Sequence, residues 1–320
     1  MPEQAIIETL HTKALRTVRN LINAYVVSQA NRLTIIVDGL DGNWGEAEDQ
    51  ALLADVLLAL LSSARESWRE INQFSSERGK PEAVSYVVFV RSDIFRTLLE
   101  RAKEPDKLLH ETLSWGDVNS LLTVVNRRIQ SSLSNTESKG LNWSDLLDID
   151  FSPKSLTGLI ERDVLFRPRD ILVYFKKAFE PAVWRDSMRV SRLDFESAMT
   201  EYSEYVVQSL TAEWQPFIPE MTGLLLAFSG EPATYRYDEL MKTLEEGGVL
   251  VKDISAALRF LVEANFLGVA RGDGTYEYAL TPEQALMMIN KSARFKDQFE
   301  RQKQFQIHRA FHRSLGIQKR

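Results

Sequence analysis

Residues Arg32 to Trp44 read RLTIIVDGLDGNW. Leu33, Ile35, Ile36 and Val37 form a short apolar run, β-branched and far too short to span a membrane, so it reads as a buried strand that stops at Asp38. Gly39, Asp41, Gly42 and Gly45 then break the pattern into a loop. A parallel strand that carries a carboxylate to its C-terminal end is the arrangement by which a phosphate-binding α/β sheet holds Mg²⁺, because ligands bind beyond the carboxyl ends of such strands.

Working outward, Ile7, Leu10, Ala14, Val18, Leu21, Ile22 and Tyr25 recur at helical spacing and predict an amphipathic helix feeding the strand. After the Asp38 loop, Leu52, Leu53, Val56, Leu57, Leu60, Ala64 and Ile71 line one face of a long helix, with Glu46, Glu48 and Asp49 at the start, where the helix dipole favours acids. Gly79-Lys80-Pro81 punctuates the chain, and Val84 to Val90 (VSYVVFV) reads as a second buried strand ending in Arg91, Ser92 and Asp93. Strand, helix and strand in that order form a right-handed parallel βαβ unit, which places Asp38 and Arg91 on one edge of the sheet. Two strands are too few for a sheet covered on both faces, so part of this α/β layer is expected to come from elsewhere.

From Ile94 the pattern is helical. Val118, Leu121, Leu122, Val125 and Ile129 make one apolar face, and Ser131 to Ser138 with Gly140 marks a boundary. Leu165-Phe166-Arg167-Pro168-Arg169-Asp170 opens another helix, Pro168 suiting its first turn, and Met199 to Trp214 follows as a connector. Further on, helices over 217–228 and 237–246, a third capped by Asp253, and short strands Leu267 to Ala270 and Tyr276 to Leu280 joined through Arg271-Gly272-Asp273-Gly274 spell a winged helix. Pro282 to Phe299 reads as one more helix, and the chain closes on IHRAFHRSLGIQKR.

Composition bounds the function. The 320 residues, 44% apolar, suffice for about two ordinary cores. The net charge of −6 argues against a protein coating nucleic acid over its whole surface, although Lys291 to Arg320 holds nine Lys/Arg against Asp297 and Glu300. With no cysteine there is no disulfide, no thiolate nucleophile and no cysteine zinc site. The first residues lack the order of a signal peptide and no run reaches membrane length, which fits a cytoplasmic protein. The motif G-x-x-x-x-G-K-[ST] does not occur in these residues, and neither does G-x-S-x-G or H-E-x-x-H.

Several residues can carry chemistry. Asp38 and Asp41 suit Mg²⁺ ordering and the polarisation of water, and suit equally a plain turn, where Asp and Gly are favoured for backbone reasons. Arg91 can sense a γ-phosphate or pair with Asp93. Arg167 and Arg169 bracket a proline that fixes their direction, and serve either a phosphate or ordinary ion pairs. His308 and His312 share a helix face if that segment is helical, but no third metal ligand stands near them. The winged helix offers Lys252, Asp253, Ser255, Arg259, Glu263 and Arg271, which is not the basic face of a groove-reading helix.

The run TIIVDGLDGNW resembles the Walker B segment of bacterial P-loop ATPases of the STAND and KAP-like kind, several of which belong to phage-defence or mobile-element loci. VVFVRSDIF is similar to the next strand with its sensor region, LSWGDVNSLLTVVNRRI to the helical segment after it, and LFRPRDIL to an arginine-bearing lid. The resemblance implies Asp38 near Mg²⁺, Asp41 as a water-orienting acid, Arg91 as sensor and Arg167 or Arg169 as a nucleotide-responsive arginine, with ATP as ligand. Gly42 stands where the family commonly has a second acid, and the Walker A half is not found in the chain. The expectation is therefore a partial P-loop α/β core over 1–135, a helical lid and connector over 136–212, a winged helix over 213–282, and a C-terminal helix and basic tail over 283–320, mostly α overall. Its function would be nucleotide-dependent switching in a defence or signalling complex with other subunits or copies, from a truncated, split or degenerate gene, with very weak ATP binding and hydrolysis only if Walker A comes from elsewhere. The rival expectation is a non-enzymatic winged-helix adaptor or DNA-binding regulator.

Overall fold

The computed structural model describes residues 17–28, 32–42, 44, 50–133, 140–214, 221–250, 254–271, 273–279, 284 and 304–318. The expected contributions of Ile7, Leu10, Ala14, Gly45, Glu46, Glu48, Asp49, Asp253 and Gly272, most of the Ser131 to Ser138 turn, the start of the 217–228 helix, nearly all of the Pro282 to Phe299 helix and the basic residues from Lys291 to Lys303 lie outside them. The chain is mostly helical and falls into two units, Met1–Glu111 and Thr112–Arg320.

In the first unit, helix α1 (17–28) precedes strand β1 (Leu33–Val37), helix α2 (Gln50–Ser76), strand β2 (Val84–Val88) and helix α3 (Ser92–Arg101). β1 and β2 pair in parallel, Leu33 opposite Val84 and Val37 opposite Val88, as the βαβ reading requires. Asn72 of α2 fastens the entry to β2. Its side-chain oxygen accepts from the Ala83 and Val84 amides, at 2.8 and 3.1 Å, and its amide donates to the Val84 carbonyl at 2.9 Å.

The strands are not buried as expected. Leu33, Ile35, Val84 and Tyr86 line the side that meets α1 and α2, around Val26, Val27, Ile71 and Ala83. Ile36, 64% exposed, and Val87, paired with it in register, lie on the other face. A two-stranded sheet with helices packed on one side leaves every second side chain uncovered, whereas the apolar run had been read as covered on both faces. Leu52, Val56 and Trp68 of α2 and Leu21 and Tyr25 of α1 are exposed too, an unusual amount of large apolar surface for so small a unit.

In the second unit come α4 (Val118–Ser132), α5 (Pro153–Asp163), α6 (Pro168–Trp184) and α7 (Arg192–Trp214). Thus α4, grouped in the sequence reading with residues 1–135, shares the core of the second unit through Leu121, Leu122 and Val125. α6 and α7 pack along each other over an aromatic seam: the Tyr174 ring lies 5.6 Å from those of Phe195 and Tyr202, and Phe175 5.3 Å from Phe195. Then follow α8 (Met221–Leu226), β3 (Thr234–Arg236), α9 (Tyr237–Glu246), α10 (Ile254–Glu263), β4 (Leu267–Ala270), β5 (Tyr276–Glu277) and β6 (Gln304–Ile307).

The sheet order is β3-β6-β4-β5, all antiparallel. Residues 304–318 are thus not a tail. β6 sits between β3 and β4, and Phe305, Ile307, Ala310, Phe311 and Leu315 are buried. Three helices and a β4–β5 hairpin are present, but the strand that pairs with β3 comes from beyond the hairpin. No helix among the described residues is long and apolar enough to cross a membrane.

Candidate functional site

The parallel pair delivers its polar residues where the strands diverge. The Phe89 amide donates to the Val37 carbonyl at 2.9 Å, one step past the ladder, and the chains then part at Asp38 and Val90. Gly39 turns the first chain at φ +74, which a β-carbon would resist, and its amide donates to Asp38 Oδ1 at 2.8 Å. The turn closes when the Trp44 amide donates to the Asp41 carbonyl, with the Trp44 ring buried as an anchor. On the second chain Arg91 takes the N-cap position of α3, the Phe95 amide donating to its carbonyl.

These turns bring Asp38, Asp41 and Arg91 around one cleft of about 200 Å³ that Leu40, Phe89, Val90 and Ile94 complete. Arg91 is held bidentately by Asp93, Nε to Oδ1 at 3.1 Å and Nη2 to Oδ2 at 2.9 Å, and its Nη1 lies 3.8 Å from Asp41 Oδ2. Of the two sequence readings of Arg91, the pair with Asp93 is present, and the guanidinium also faces Asp41 of the β1 loop. Asp38 is exposed, with one oxygen engaged by Gly39. The donor set comprises two carboxylates, and no group of three or more His, Cys, Asp or Glu among the described residues can hold a metal.

Arg167 and Arg169 belong to the second unit. Arg167 is the N-cap of α6. Its Nη2 donates to the Ala264 carbonyl at 3.4 Å and its Nη1 lies 3.7 Å from Glu213 Oε2, so it ties together the ends of α7 and α10. Arg169, two residues on, is exposed. Sequence reasoning missed what lies beneath them: Asp170 is buried, accepts from Tyr202 Oη at 3.0 Å, and Tyr202 Oη in turn accepts from the Leu165 amide at 3.0 Å. Burial raises the Asp170 carboxyl to about 6, against the pull of Arg167 and the Tyr202 hydroxyl. In sequence, an acid in the first turn of a helix signals only the helix dipole.

The histidines do not converge on a metal. His308 Nδ1 accepts from the Ala310 amide at 3.1 Å, while His312 Nε2 lies 2.9 Å from the Ile307 carbonyl. On α10, Phe260 is buried with its ring 4.3 Å from that of Trp214, and Arg259 pairs with Glu263 at 2.8 Å. Phe260 of α10 thus packs on Trp214 at the end of α7.

Residues 119–211, spanning nearly all of α4 through most of α7, match the FunZ-associated C-terminal helical domain. The chain is 23% identical over 295 residues to a "transposon gamma-delta 80.3 kDa protein" of Escherichia coli (strain K12), an alignment covering 87% of this chain and 40% of that protein. The match thus covers about two fifths of the length of that curated relative. No solved structure matches.

Proposed function

We propose that the first unit forms one wall of a nucleotide site in a P-loop ATPase, and that the chain acts as a nucleotide-dependent switch within a larger assembly. The observation that carries this reading is the cleft at the carboxyl ends of β1 and β2, where Asp38, Asp41 and Arg91 meet. In such a site the Mg²⁺ and ATP supply the electrophilic phosphorus and its charge compensation. On this chain's side, Asp38 would order the water shell of the metal, Asp41 would orient a water, and Arg91, now paired with Asp93, would offer its guanidinium to a phosphate oxygen. Support also comes from the uncovered sheet face, which bears apolar Ile36 and Val87 as a central layer does. The phosphate-binding loop and the remaining strands would come from another segment or polypeptide. The relative's name, a transposon protein, fits the mobile-element setting of the resembling ATPases, within which a defence or signalling complex is one home for such a switch. DNA reading through α10 is not part of this proposal, because its non-core positions offer Arg259 paired with Glu263 in place of a basic face.

Backbone NMR of the full chain titrated with Mg-ATP tests the reading. The expected result is binding in the millimolar range, with shifts confined to the residues around Asp38–Asp41 and Arg91–Ile94, and loss of those shifts in Arg91→Ala. Micromolar binding by this chain alone would show that no phosphate loop is lacking. Shifts elsewhere, or none, would remove the nucleotide wall.

A further inference from the structure

The corner between α6 and α7 presents large apolar side chains to solvent in a way unlike the rest of the second unit. Trp184 is 85% exposed, Met188 91% and Ile149 91%, with Val183 and Leu193 beside them in the chain also mostly exposed. Ile149 joins the corner because Leu147 bridges Val190, the Asp148 amide donating to the Val190 carbonyl at 3.0 Å and the Val190 amide to the Leu146 carbonyl at 2.8 Å.

The corner is fastened in place. Arg185 holds Asp194 bidentately, both bonds 2.8 Å, and Asp194 also accepts from the Ser191 amide at 2.8 Å. Arg189 donates to the carbonyls of Leu147 at 2.7 Å and Asp145 at 3.3 Å. The Ser187 amide donates to the Ala182 carbonyl at 2.9 Å, and Asp186 adopts φ +54 to make the turn, a backbone state that costs a non-glycine residue free energy. Folding alone gains nothing from holding a tryptophan and a methionine out in water on so well-tied a turn. A backbone tied this way presents Trp and Met, residue types enriched at binding interfaces, with little main-chain freedom left to lose on association.

The surrounding charge identifies the occupant. Within residues 145–150 and 183–196 stand six acids, Asp145, Asp148, Asp150, Asp186, Asp194 and Glu196, against three bases, Arg185, Arg189 and Arg192. All three guanidiniums are engaged, Arg185 with Asp194, Arg192 with Glu196 and Arg189 with backbone carbonyls. Asp148, Asp150 and Asp186, which flank Ile149 and Trp184 in the chain, are left as the exposed acidic rim. Such a rim repels anionic lipid and nucleic acid alike, and attracts a cationic protein segment.

We infer that the α6–α7 corner is a docking surface for a basic amphipathic segment of a partner polypeptide, its apolar face seated on Trp184, Met188 and Ile149 and its Lys/Arg flanks against Asp148, Asp150 and Asp186. This surface lies within the segment that matches the helical domain family and is independent of the nucleotide reading.

The probe is a labelled synthetic helix of about 18 residues with leucine and lysine at amphipathic spacing, followed by fluorescence anisotropy with the full chain. Micromolar binding is expected, at least tenfold weaker in Trp184→Ser and in the triple variant Asp148→Asn, Asp150→Asn, Asp186→Asn, the latter also with a shallower salt dependence. All four side chains are exposed, so the circular-dichroism melts of both variants should match that of the parent. A scrambled peptide of the same composition should bind at least tenfold more weakly. Four results would overturn the inference: no binding at about 100 μM, equal binding of the scrambled peptide, Trp184-dependent sedimentation with phosphatidylserine vesicles, or a dimer in analytical ultracentrifugation that Trp184→Ser dissolves.

Discussion

At the scale of single residues, two buried titratable groups in the second unit pull stability in opposite directions with pH. Asp170 sits in the folded chain at about 6, above its ordinary 3.8, because burial disfavours its charge. The folded state therefore holds this proton more tightly than the unfolded one: the stability contribution is greatest below 3.8, declines as pH rises to 6, and is a penalty above, on the order of 3 kcal/mol at most. His308 is pushed down from 6.5 to about 3, first by burial and then by His312. Its unfolded form binds protons that the folded form refuses, so stability is complete above 6.5 and is lost as pH falls toward 3, again by several kcal/mol. Between about 3.8 and 6 the two slopes are opposite and nearly cancel, so the loss of stability on acidification should set in below about pH 4, where His308 acts alone. In Asp170→Asn the amide oxygen still accepts from Tyr202 without a buried charge. Urea denaturation midpoints should then rise at pH 7.5 by the equivalent of about 1–2 kcal/mol, and acid destabilisation should steepen between pH 4 and 6, where the aspartate had offset it. A variant less stable than the parent at pH 7.5 would show that the carboxylate's attraction to Arg167 outweighs its desolvation.

At the scale of elements, the first unit depends on one side chain more than its sequence advertises. Asn72 makes three hydrogen bonds to the backbone of Ala83 and Val84, where β2 begins and where the Leu33 amide also finds the Ala83 carbonyl at 2.9 Å. Truncation to alanine leaves those amides without a partner at the edge of the buried Val84, at a cost of roughly 2–3 kcal/mol. Asn72→Ala should therefore speed hydrogen exchange at Val84 and Leu33 by at least tenfold while amides of α6 and α7 keep their rates; unchanged protection at Val84 would deny Asn72 this role. The elements themselves were legible. LTIIV and VSYVV announce strands through β-branched runs, and the long helix between them dictates a parallel crossover. Their exposure was not legible, because an apolar run reads the same whether the second face is covered by the chain at hand or left open. The pairing of Arg91 with Asp93 followed from their spacing, whereas the approach of Asp41 to Arg91 required the Gly39 turn to be seen. β6 went unrecognised although Gln304, Phe305, Gln306 and Ile307 alternate with period two. Four residues are too few to outweigh a neighbouring helical pattern, and only tertiary pairing with β3 and β4 decides them.

At the scale of the whole molecule, the two units carry very different cores. The first gathers Val26, Val27, Ile71, Ala83 and Val84 into one small cluster while Ile36, Leu52, Val56 and Tyr25 stay exposed, whereas the second buries one continuous core running from α4 to residue 317. Stability follows buried apolar area, so calorimetry of the full chain should show two transitions, the lower belonging to the first unit. The upper one depends on the end of the sequence. β6 fills the gap between β3 and β4, the His308 amide donates to the Phe266 carbonyl at 2.9 Å, the Ser314 amide to Ser203 Oγ at 2.9 Å, and the Gly230 amide to the Leu315 carbonyl at 2.8 Å. Phe305, Ile307, Phe311, Leu315 and Ile317 go into the core with them. Five such side chains at about 1.5–3 kcal/mol each amount to roughly 10 kcal/mol, comparable to the net stability of a whole domain. A chain ending at Lys303 should therefore lose the upper transition and expose its α6–α7 aromatic seam, seen as collapse of the near-ultraviolet circular dichroism, while the lower transition persists. Survival of both transitions would mean that the helices from α4 to α7 hold together without β6, and that the C-terminal strand only decorates a core already complete.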